Sequence, residues 1–202
     1  MPETSIVLAG VGGQGTILAA EILGTAAVKD NLNVRVSEIH GMAQRGGAVT
    51  STVRIGEEAL SATVLEGQAD VLLGFEPLET VRSLKFVSDK TLVIMSDERI
   101  PPPALAVRKV NFPDTEEIVR TIHLFTSRLI IVQTKRLAEE AGSILAINVI
   151  LLGVLAATQQ FPVKTDCILE ALRDLVPAKH LEENLKAFKL GYEYIKQNVR
   201  TN

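Results

Sequence analysis

The sequence predicts a three-layer α/β/α domain with a mostly parallel sheet, an antiparallel edge and a helical C-terminal part. Several short apolar runs show no polar alternation, which is typical of strands buried on both faces of a parallel sheet. A glycine-rich turn at residues 10–15 joins the first of these strands to a helix. After residue 134 the apolar spacing becomes helical. We therefore expect one Rossmann-like domain over residues 1–202.

The first half of the chain predicts a βαβ unit followed by an antiparallel pair. Residues 4–9 form the first strand, residues 15–29 the helix and residues 34–39 the second strand, and the crossover should be right-handed. Residues 48–55 alternate apolar and polar side chains, as in a strand with one wet face. Residues 59–65 are expected to return in a hairpin or an antiparallel edge.

The second half predicts further strands and a run of helices. Strands are expected at residues 69–75, 91–96 and 128–133, with a short extended piece at 105–110; helices are expected at 77–86, 114–122, 135–141, 144–157, 165–175 and 180–199. Thr134, Ser143 and Thr165 are predicted N-caps, and Glu76 is expected to cap the helix after it. Asn148, inside an apolar helix, needs a partner, for which a loop main chain is predicted.

Composition excludes several functional classes. Apolar residues make up 47% of the 202 positions, so the chain can bury a sizeable core. A net charge of −3 without a Lys/Arg run argues against nucleic acid and against an anionic membrane surface. The longest apolar run, residues 144–158, is shorter than the roughly 20 residues that span a bilayer. The single cysteine and an N-terminus without a signal-peptide pattern favour the cytoplasm, and no spacing indicates a metal site.

The glycine turn permits three interpretations. Its candidate binding residues are Gly10, Gly12, Gly13, Gln14 and Gly15. The pattern G-x-G-x-x-G is that of dinucleotide sites, and Glu38 lies where a ribose-binding acid would lie. Alternatively, the glycines only allow a helix to pack tightly on the sheet. In the third interpretation, the main-chain N–H groups of the turn and the Gln14 amide contact a cofactor or a partner protein.

A second glycine-flanked loop, residues 37–47, leaves the end of the second strand and should lie beside the first. His40 and Arg45 are its candidate catalytic residues. His40 can exchange a proton near neutral pH, or it is a hydrogen-bonding strut. The Arg45 guanidinium suits a carboxylate or phosphate, or an interface salt bridge. Gln44 and Gly46 complete the candidate binding residues of this loop.

Together the two loops, GVGGQG at residues 10–15 and SEIHGMAQRGG at residues 37–47, resemble the gamma domain of the 2-oxoacid:ferredoxin oxidoreductases. The similarity is greatest to the beta (small) subunit of indolepyruvate ferredoxin oxidoreductase. Other segments agree in matching order: ADVLLGFEPLE at 69–79, Asn148 with LLG at 151–153, and NLKAFKLG at 184–191. The resemblance covers nearly the whole chain.

The resemblance implies a subunit of an enzyme that decarboxylates a 2-oxo acid oxidatively, with coenzyme A as acyl acceptor and ferredoxin as electron acceptor. Thiamine diphosphate and 4Fe-4S clusters then belong to a large (alpha) subunit, an arylpyruvate is the expected substrate, and the isolated chain is expected to be inactive. The loops would face a cofactor or that partner. Exposed apolar surface, and a possible homodimer of the isolated chain, are expected at the last helix or at residues 144–157. The alternative is an autonomous nucleotide-binding or NAD-dependent protein.

Overall fold

A six-stranded sheet forms the centre of the protein. The computed structural model describes residues 3–41, 46–57, 59–101 and 112–198. The strands are β1 (Thr4–Val11), β2 (Val34–His40), β3 (Ala48–Ile55), β4 (Val71–Gly74), β5 (Leu92–Ser96) and β6 (Leu129–Val132), and their order across the sheet is β2-β3-β1-β4-β5-β6. The strands β1, β4, β5 and β6 pair in parallel, and β3 pairs antiparallel with both β1 and β2. The predicted fold class is confirmed.

Two details of the predicted sheet are wrong. The edge strand is β2 and not a strand from residues 48–65, because β3 lies between β1 and β2. A short connection between β2 and β3 favours antiparallel pairing of these neighbours, whereas the β1–α1–β2 crossover fixes no adjacency. Residues 59–65 also form no strand. Side chains of β3 bind their carbonyl groups instead: Thr52 Oγ1 donates to Ala62 O, and Arg54 Nη1 donates to the carbonyl oxygens of Ser61 and Thr63.

The helices lie near their predicted positions. They are α1 (Thr16–Lys29), α2 (Pro77–Arg82), α3 (Thr115–His123), α4 (Thr134–Ala141), α5 (Ile147–Ala157), α6 (Thr165–Leu175) and α7 (Leu181–Asn198), with short 3-10 turns at Leu84–Phe86, Ile144–Ala146 and Ala178–His180. The predicted extended piece at 105–110 lies outside the described residues. None of these helices has both the length and the apolar character that crossing a membrane requires.

Two of the predicted N-caps, Thr134 and Thr165, are wrong, and Glu76 is confirmed. Ser143 does occupy the N-cap position of the 3-10 turn Ile144–Ala146 that precedes α5, but its side chain makes no capping hydrogen bond. The cap positions of α4, α5 and α6 are taken by residues whose side chains make no capping hydrogen bond. Thr134 is already the first residue of α4, and its hydroxyl lies 2.6 Å from that of Ser96 in the buried interior. Glu76 does cap α2, because its Oε2 accepts from Glu79 N–H at 2.9 Å.

Two apolar clusters cover the two faces of the sheet. On one face, α1 and the helices α4–α7 pack against alternate residues of the strands, including Ile6 and Leu8 of β1. On the other, α2, α3 and the segment 59–69 pack against Val7 and Ala9. The layers are therefore helix, sheet and helix, and the apolar runs of the strands reflect burial on both sides.

The C-terminal helix belongs to the core. A Cβ atom added at Gly153 of α5 would lie 2.2 Å from Phe188 O, so α5 and α7 contact each other through their main chains. Phe188 and Ile195 are buried, and the apolar stripe predicted as exposed surface on this helix is therefore covered. Ile144 and Leu145, in the 3-10 turn before α5, are exposed as expected.

Candidate functional site

The predicted loops meet at one edge of the sheet. Because β1, β2, β4, β5 and β6 run in one direction, their carboxyl ends share an edge, and β3 begins there. Open α/β sheets place their ligands at this edge. The glycine turn leaves β1 here, and the second loop connects β2 to β3 here.

Main-chain hydrogen bonds join the two loops directly. The Gly12 N–H donates to Gly47 O at 2.8 Å, and the Gly46 N–H donates to Gly12 O at 3.2 Å. These bonds continue the β1–β3 ladder, in which Val11 is paired with Ala48. The predicted proximity of the loops is confirmed for the residues described.

Both ends of the Gln14 amide bind main-chain groups of the protein. Its Oε1 accepts from Val11 N–H at 2.9 Å, and its Nε2 donates to Phe75 O at 2.9 Å. The amide therefore fixes the end of β1 against the end of β4. Both polar ends of this side chain serve the turn, so Gln14 acts as a positioning residue and its main contribution is to hold the backbone in place.

Two glycines of the turn are required for close packing. A Cβ atom at Gly10 would lie 2.8 Å from Thr16 Oγ1 and 2.9 Å from Phe75 Cβ. At Gly15, whose φ is 75°, it would lie 2.6 Å from Asn148 Nδ2. The Asn148 amide also donates to Gly15 O at 3.3 Å, which confirms the predicted loop partner for this buried residue. The packing interpretation of the turn thus holds for its inner side.

None of the described residues covers the outer side of the turn. Gly13 has a φ of 101°, and a Cβ atom there would meet no described atom within 4 Å. Gly15 is the N-cap of α1 and supplies no side-chain cap, and the first turn of α1 contains no acidic residue. The end of a helix in this state presents main-chain N–H groups and a partial positive charge to an anion. This opening faces the same edge as the second loop.

Thr16 also belongs to the surroundings of the glycine turn, and the sequence analysis did not predict it. This residue is buried, and its hydroxyl has no hydrogen-bond partner among the described residues. A threonine directly after a glycine turn and ahead of an apolar helix face was the available signal. Its hydroxyl lies beneath the turn, next to Gly10.

The second loop is described only at its ends. The main chain of His40 ends β2, and the predictions for its side chain, for Gln44 and for Arg45 lie outside the described residues. Gly46 is exposed and has a φ of 72°, which favours glycine. The roles of His40 and Arg45 therefore stay predictions.

Glu76 lies at the same edge, at the end of β4. The side chain is only 1% exposed, and burial raises the pKa of its carboxyl group, opposed by hydrogen bonds from the main chain. Its two oxygens accept from Glu79 N–H and, at 3.3 Å, from Ile100 N–H. Glu76 thus fastens the segment after β5 to the cap of α2.

The geometry does not fit a dinucleotide site. In that site the ribose-binding acid lies at the end of the strand next to β1. Here β3 separates the two strands, so Glu38 of β2 is displaced by two strand spacings, about 10 Å, from β1. The described residues also contain no group of three His, Cys, Asp or Glu side chains that could hold a metal.

Cys167 has the environment of an unreactive thiol. It is half-buried in α6, and burial, followed by the carboxylates of Asp30 and Glu170, raises the pKa of the thiol. A raised pKa lowers the fraction of nucleophilic thiolate at neutral pH. This cysteine lies on a helix packed against α1, so we assign it to packing.

Comparison with known proteins finds relatives in sequence and in fold. The indolepyruvate oxidoreductase subunit IorB of Pyrococcus horikoshii is 40% identical over 198 residues, which are 98% of each chain. The gamma subunit of a keto/oxoacid ferredoxin oxidoreductase from Geobacter sulfurreducens superimposes with a TM-score of 0.68 at 23% identity, over 96% of this chain and 99% of that one.

A longer chain contains the same fold. The 2-oxoglutarate:ferredoxin oxidoreductase of Magnetococcus marinus superimposes with a TM-score of 0.69 at 19% identity; the match covers 98% of this chain and 32% of that one. The family described as pyruvate ferredoxin/flavodoxin oxidoreductase matches residues 5–194. With nearly every strand and helix inside that match, and with a relative 40% identical from end to end, the chain belongs to the pyruvate ferredoxin/flavodoxin oxidoreductase family.

Proposed function

We propose that this chain is the small subunit of a 2-oxoacid:ferredoxin oxidoreductase that acts on indolepyruvate or a related arylpyruvate, with residues 1–202 as one domain. The observation that carries the proposal is the relative named as an indolepyruvate oxidoreductase subunit, which is 40% identical over 98% of both chains. Identity of this kind along the whole length supports a shared role. The displacement of Glu38 from β1 speaks against the nicotinamide alternative.

The proposed reaction oxidises the substrate by two electrons. The bond between the carboxylate carbon and the keto carbon breaks and carbon dioxide leaves. The thiol sulfur of coenzyme A forms a bond to the acyl carbon. Two oxidised ferredoxins each take one electron, and one proton is released. Thiamine diphosphate supplies the carbanion chemistry when it is bound to the complex.

We assign thiamine diphosphate and the 4Fe-4S clusters to a large subunit. A cubane cluster needs about four thiolates, and this chain has one cysteine. Ferredoxin would be reduced through the complex, in the cytoplasm. What remains for this chain is to bind and orient groups at the carboxyl edge of its sheet.

We propose that the open side of the glycine turn binds an anion, either a phosphate of coenzyme A or a carboxylate of the large subunit. The uncapped end of α1 offers N–H groups, and Gly13 leaves room for close approach. Gln14 and Asn148 hold this backbone in place from below. Arg45, in the loop bonded to the turn, is expected to add a guanidinium to the same anion, and His40 a proton-exchanging group.

Reconstitution tests the proposed function. The chain is produced alone, together with a large subunit of the family, and as a mixture of the two separately purified proteins. We expect activity that depends on indolepyruvate and coenzyme A and reduces ferredoxin only when both chains are present, together with a stable complex in size-exclusion chromatography.

The same preparation tests the alternative. A ligand that binds only the folded state raises the melting temperature. We expect NAD and NADP to leave the melting temperature of the isolated chain unchanged. A rise of several degrees with either nucleotide, or ferredoxin reduction by the large subunit alone, would contradict the proposal.

A further inference from the structure

We propose that the outer edge of β2, with the groove between β2 and α1, binds an extended segment of the large subunit as an added strand, and that this segment carries an apolar residue followed two positions later by Lys or Arg. The proposal rests on the proposed function, because it needs a partner subunit. It concerns a surface away from the glycine turn, and it follows from the main chain, the groove and the charges of the described residues.

No described strand pairs with the outer side of the β2 main chain. Gly56 N–H donates to Asn33 O, which places the main-chain groups of Asn33, and of every second residue after it, toward β3. The groups of residues 34, 36 and 38 therefore point away from the sheet. Arg35 Nη1 donates to Val34 O at 2.9 Å and covers that carbonyl. Val36 and Glu38 are left as the pairing positions of an open edge.

An apolar groove lies beside those two residues. It has a volume of about 370 Å³, and its lining includes Val36 and Glu38 of β2 and Glu21, Gly24 and Val28 of α1. Val28 is 63% exposed and Val36 is 39% exposed. The side chains that line the groove thus belong to the same residues whose main chain is unpaired. A strand added at this edge would place alternate side chains into the groove.

The groove carries the negative charge of two carboxylates. Glu21 and Glu38 both line it, and neither forms an ion pair with any cationic side chain that the structure describes, which leaves out His40 and residues 42–45. Both residues are exposed. An incoming apolar side chain would cover Val28 and Val36, and a cation on the same face of the strand would neutralise the two carboxylates. This charge pattern defines the chemistry of the occupant.

A second copy of this chain does not match that chemistry. Two β2 strands paired about a two-fold axis would bring both copies of Glu21 and Glu38 into one seam. Four carboxylates would then share the interface, with valines as their neighbours. Among the described side chains of these strands, the one cation is Arg35, which lies on the opposite face. A basic, apolar segment of a different protein satisfies the same surface.

Hydrogen exchange resolved to single amides tests strand addition. In the isolated chain, the N–H groups of Val36 and Glu38 should exchange fast, while those of Arg35 and Ser37 should be protected by β3. In the complex with the large subunit, we expect exchange at Val36 and Glu38 to slow by about 100-fold or more, with Arg35 and Ser37 little changed. This alternation is specific to pairing on the outer edge.

Charge reversal tests the basic residue of the segment. The double substitution Glu21→Lys with Glu38→Lys should weaken the complex by about 10-fold or more. The matched control, Glu66→Lys with Glu139→Lys, makes the same change of charge at exposed carboxylates outside the groove and should leave the Kd within about 2-fold. Melting curves of the isolated variants show whether each remains folded.

The outcomes separate this proposal from the proposed function. An active complex in which Val36 and Glu38 still exchange as in the free chain would overturn the proposal and leave the proposed function standing. Protection of these amides in the isolated chain, with the mass of a dimer, would identify a second copy as the occupant and overturn it too. Failure of the two subunits to form any complex would overturn both.

Discussion

The two halves of the sheet use their residues differently. In the parallel half, every residue of β4 and β5 is buried, and helices cover both faces. In the antiparallel flank, every residue of β2 whose side chain is described is exposed or only half-buried. One continuous sheet thus combines a strand set that stabilises the fold with an edge that remains on the surface. In a protein that works as a subunit, such an exposed edge can contact a partner without disturbing the buried core.

The glycine turn lies at the junction of these halves. Its inner side is bound to β4 through Gln14 and to α5 through Asn148, and Gly12 is bound to the loop that enters β3. A change in the parallel half should therefore reduce stability strongly, and a change in the flank should affect association. Four predictions, each with its own substitutions, test this difference.

The largest effect is expected for Gly153→Ala. The new Cβ would meet Phe188 O at 2.2 Å, a main-chain atom of α7 that cannot move without separating the two helices. Helix propensity alone favours alanine by about 1 kcal/mol, so a net loss would come from the clash. We expect a loss of about 3 kcal/mol in the free energy of unfolding, measured by urea denaturation.

The matched control is the helical glycine of the flank. At Gly24 of α1, the new Cβ would meet Val36 Cγ2 at 2.8 Å, the end of a partly exposed side chain that can turn away. We expect Gly24→Ala to change stability by less than about 1 kcal/mol. Equal losses at both glycines would contradict the difference between the two halves.

The second-largest effect is expected for Gln14→Ala, at the junction of the two halves. Val11 N–H and Phe75 O would both lose their partner, and we expect the free energy of unfolding to fall by about 2 kcal/mol. Gln14→Glu keeps the acceptor for Val11 but places a carboxylate oxygen against Phe75 O. The loss of stability caused by Gln14→Glu should therefore be large at neutral pH. It should decrease at acidic pH, where the protonated carboxyl group can donate to Phe75 O. A pH-independent effect of Gln14→Glu would argue against the hydrogen bond to Phe75.

The third effect is the pH dependence contributed by Glu76. Burial raises the pKa of this carboxyl group in the folded state, so the folded protein binds the proton more tightly than the unfolded chain. Stability contributed by the bound proton is present at low pH and is lost as the pH rises above about 4.5, through the folded pKa. Glu76→Gln keeps an acceptor for Glu79 N–H but does not titrate. The difference in free energy of unfolding should shift in favour of the variant between pH 4.5 and 7.5; the opposite shift would be inconsistent with a raised pKa.

The sequence predicted the parallel half of the fold well. Apolar runs without alternation mark β4 and β5, because side chains on both faces of these strands are buried. The alternation in residues 48–55 predicted a strand there, but periodicity reports which face is buried and contains no information on which strand is the neighbour. The place of β3 between β1 and β2 depends on a tertiary pairing, so it could not be predicted from this pattern.

The sequence predicted where the candidate site lies, but not all of the contacts made by its residues. The polarity of Asn148 in an apolar helix indicated a buried partner, and Gly15 O is that partner. For Gln14, the sequence left open a contact with a ligand, because the carbonyl of Phe75 that occupies its amide is 61 positions away. A partner that distant in sequence leaves no local signal. The roles of the His40 and Arg45 side chains stay predictions.

The smallest effect is expected for Val36→Thr, and a matched partner makes it informative. The same isosteric substitution at Val93 of β5 places a hydroxyl in a fully buried position within an apolar cluster, at a cost of about 2 kcal/mol. At Val36, which is 39% exposed, water can hydrate the hydroxyl, and we expect a change within about 0.5 kcal/mol in the isolated chain. In the complex with the large subunit, the same threonine would lie under the added strand and should weaken association measurably. Equal stability losses for the two variants in the isolated chain would show that the β2 edge is part of the core, and that the two halves of the sheet do not differ as argued.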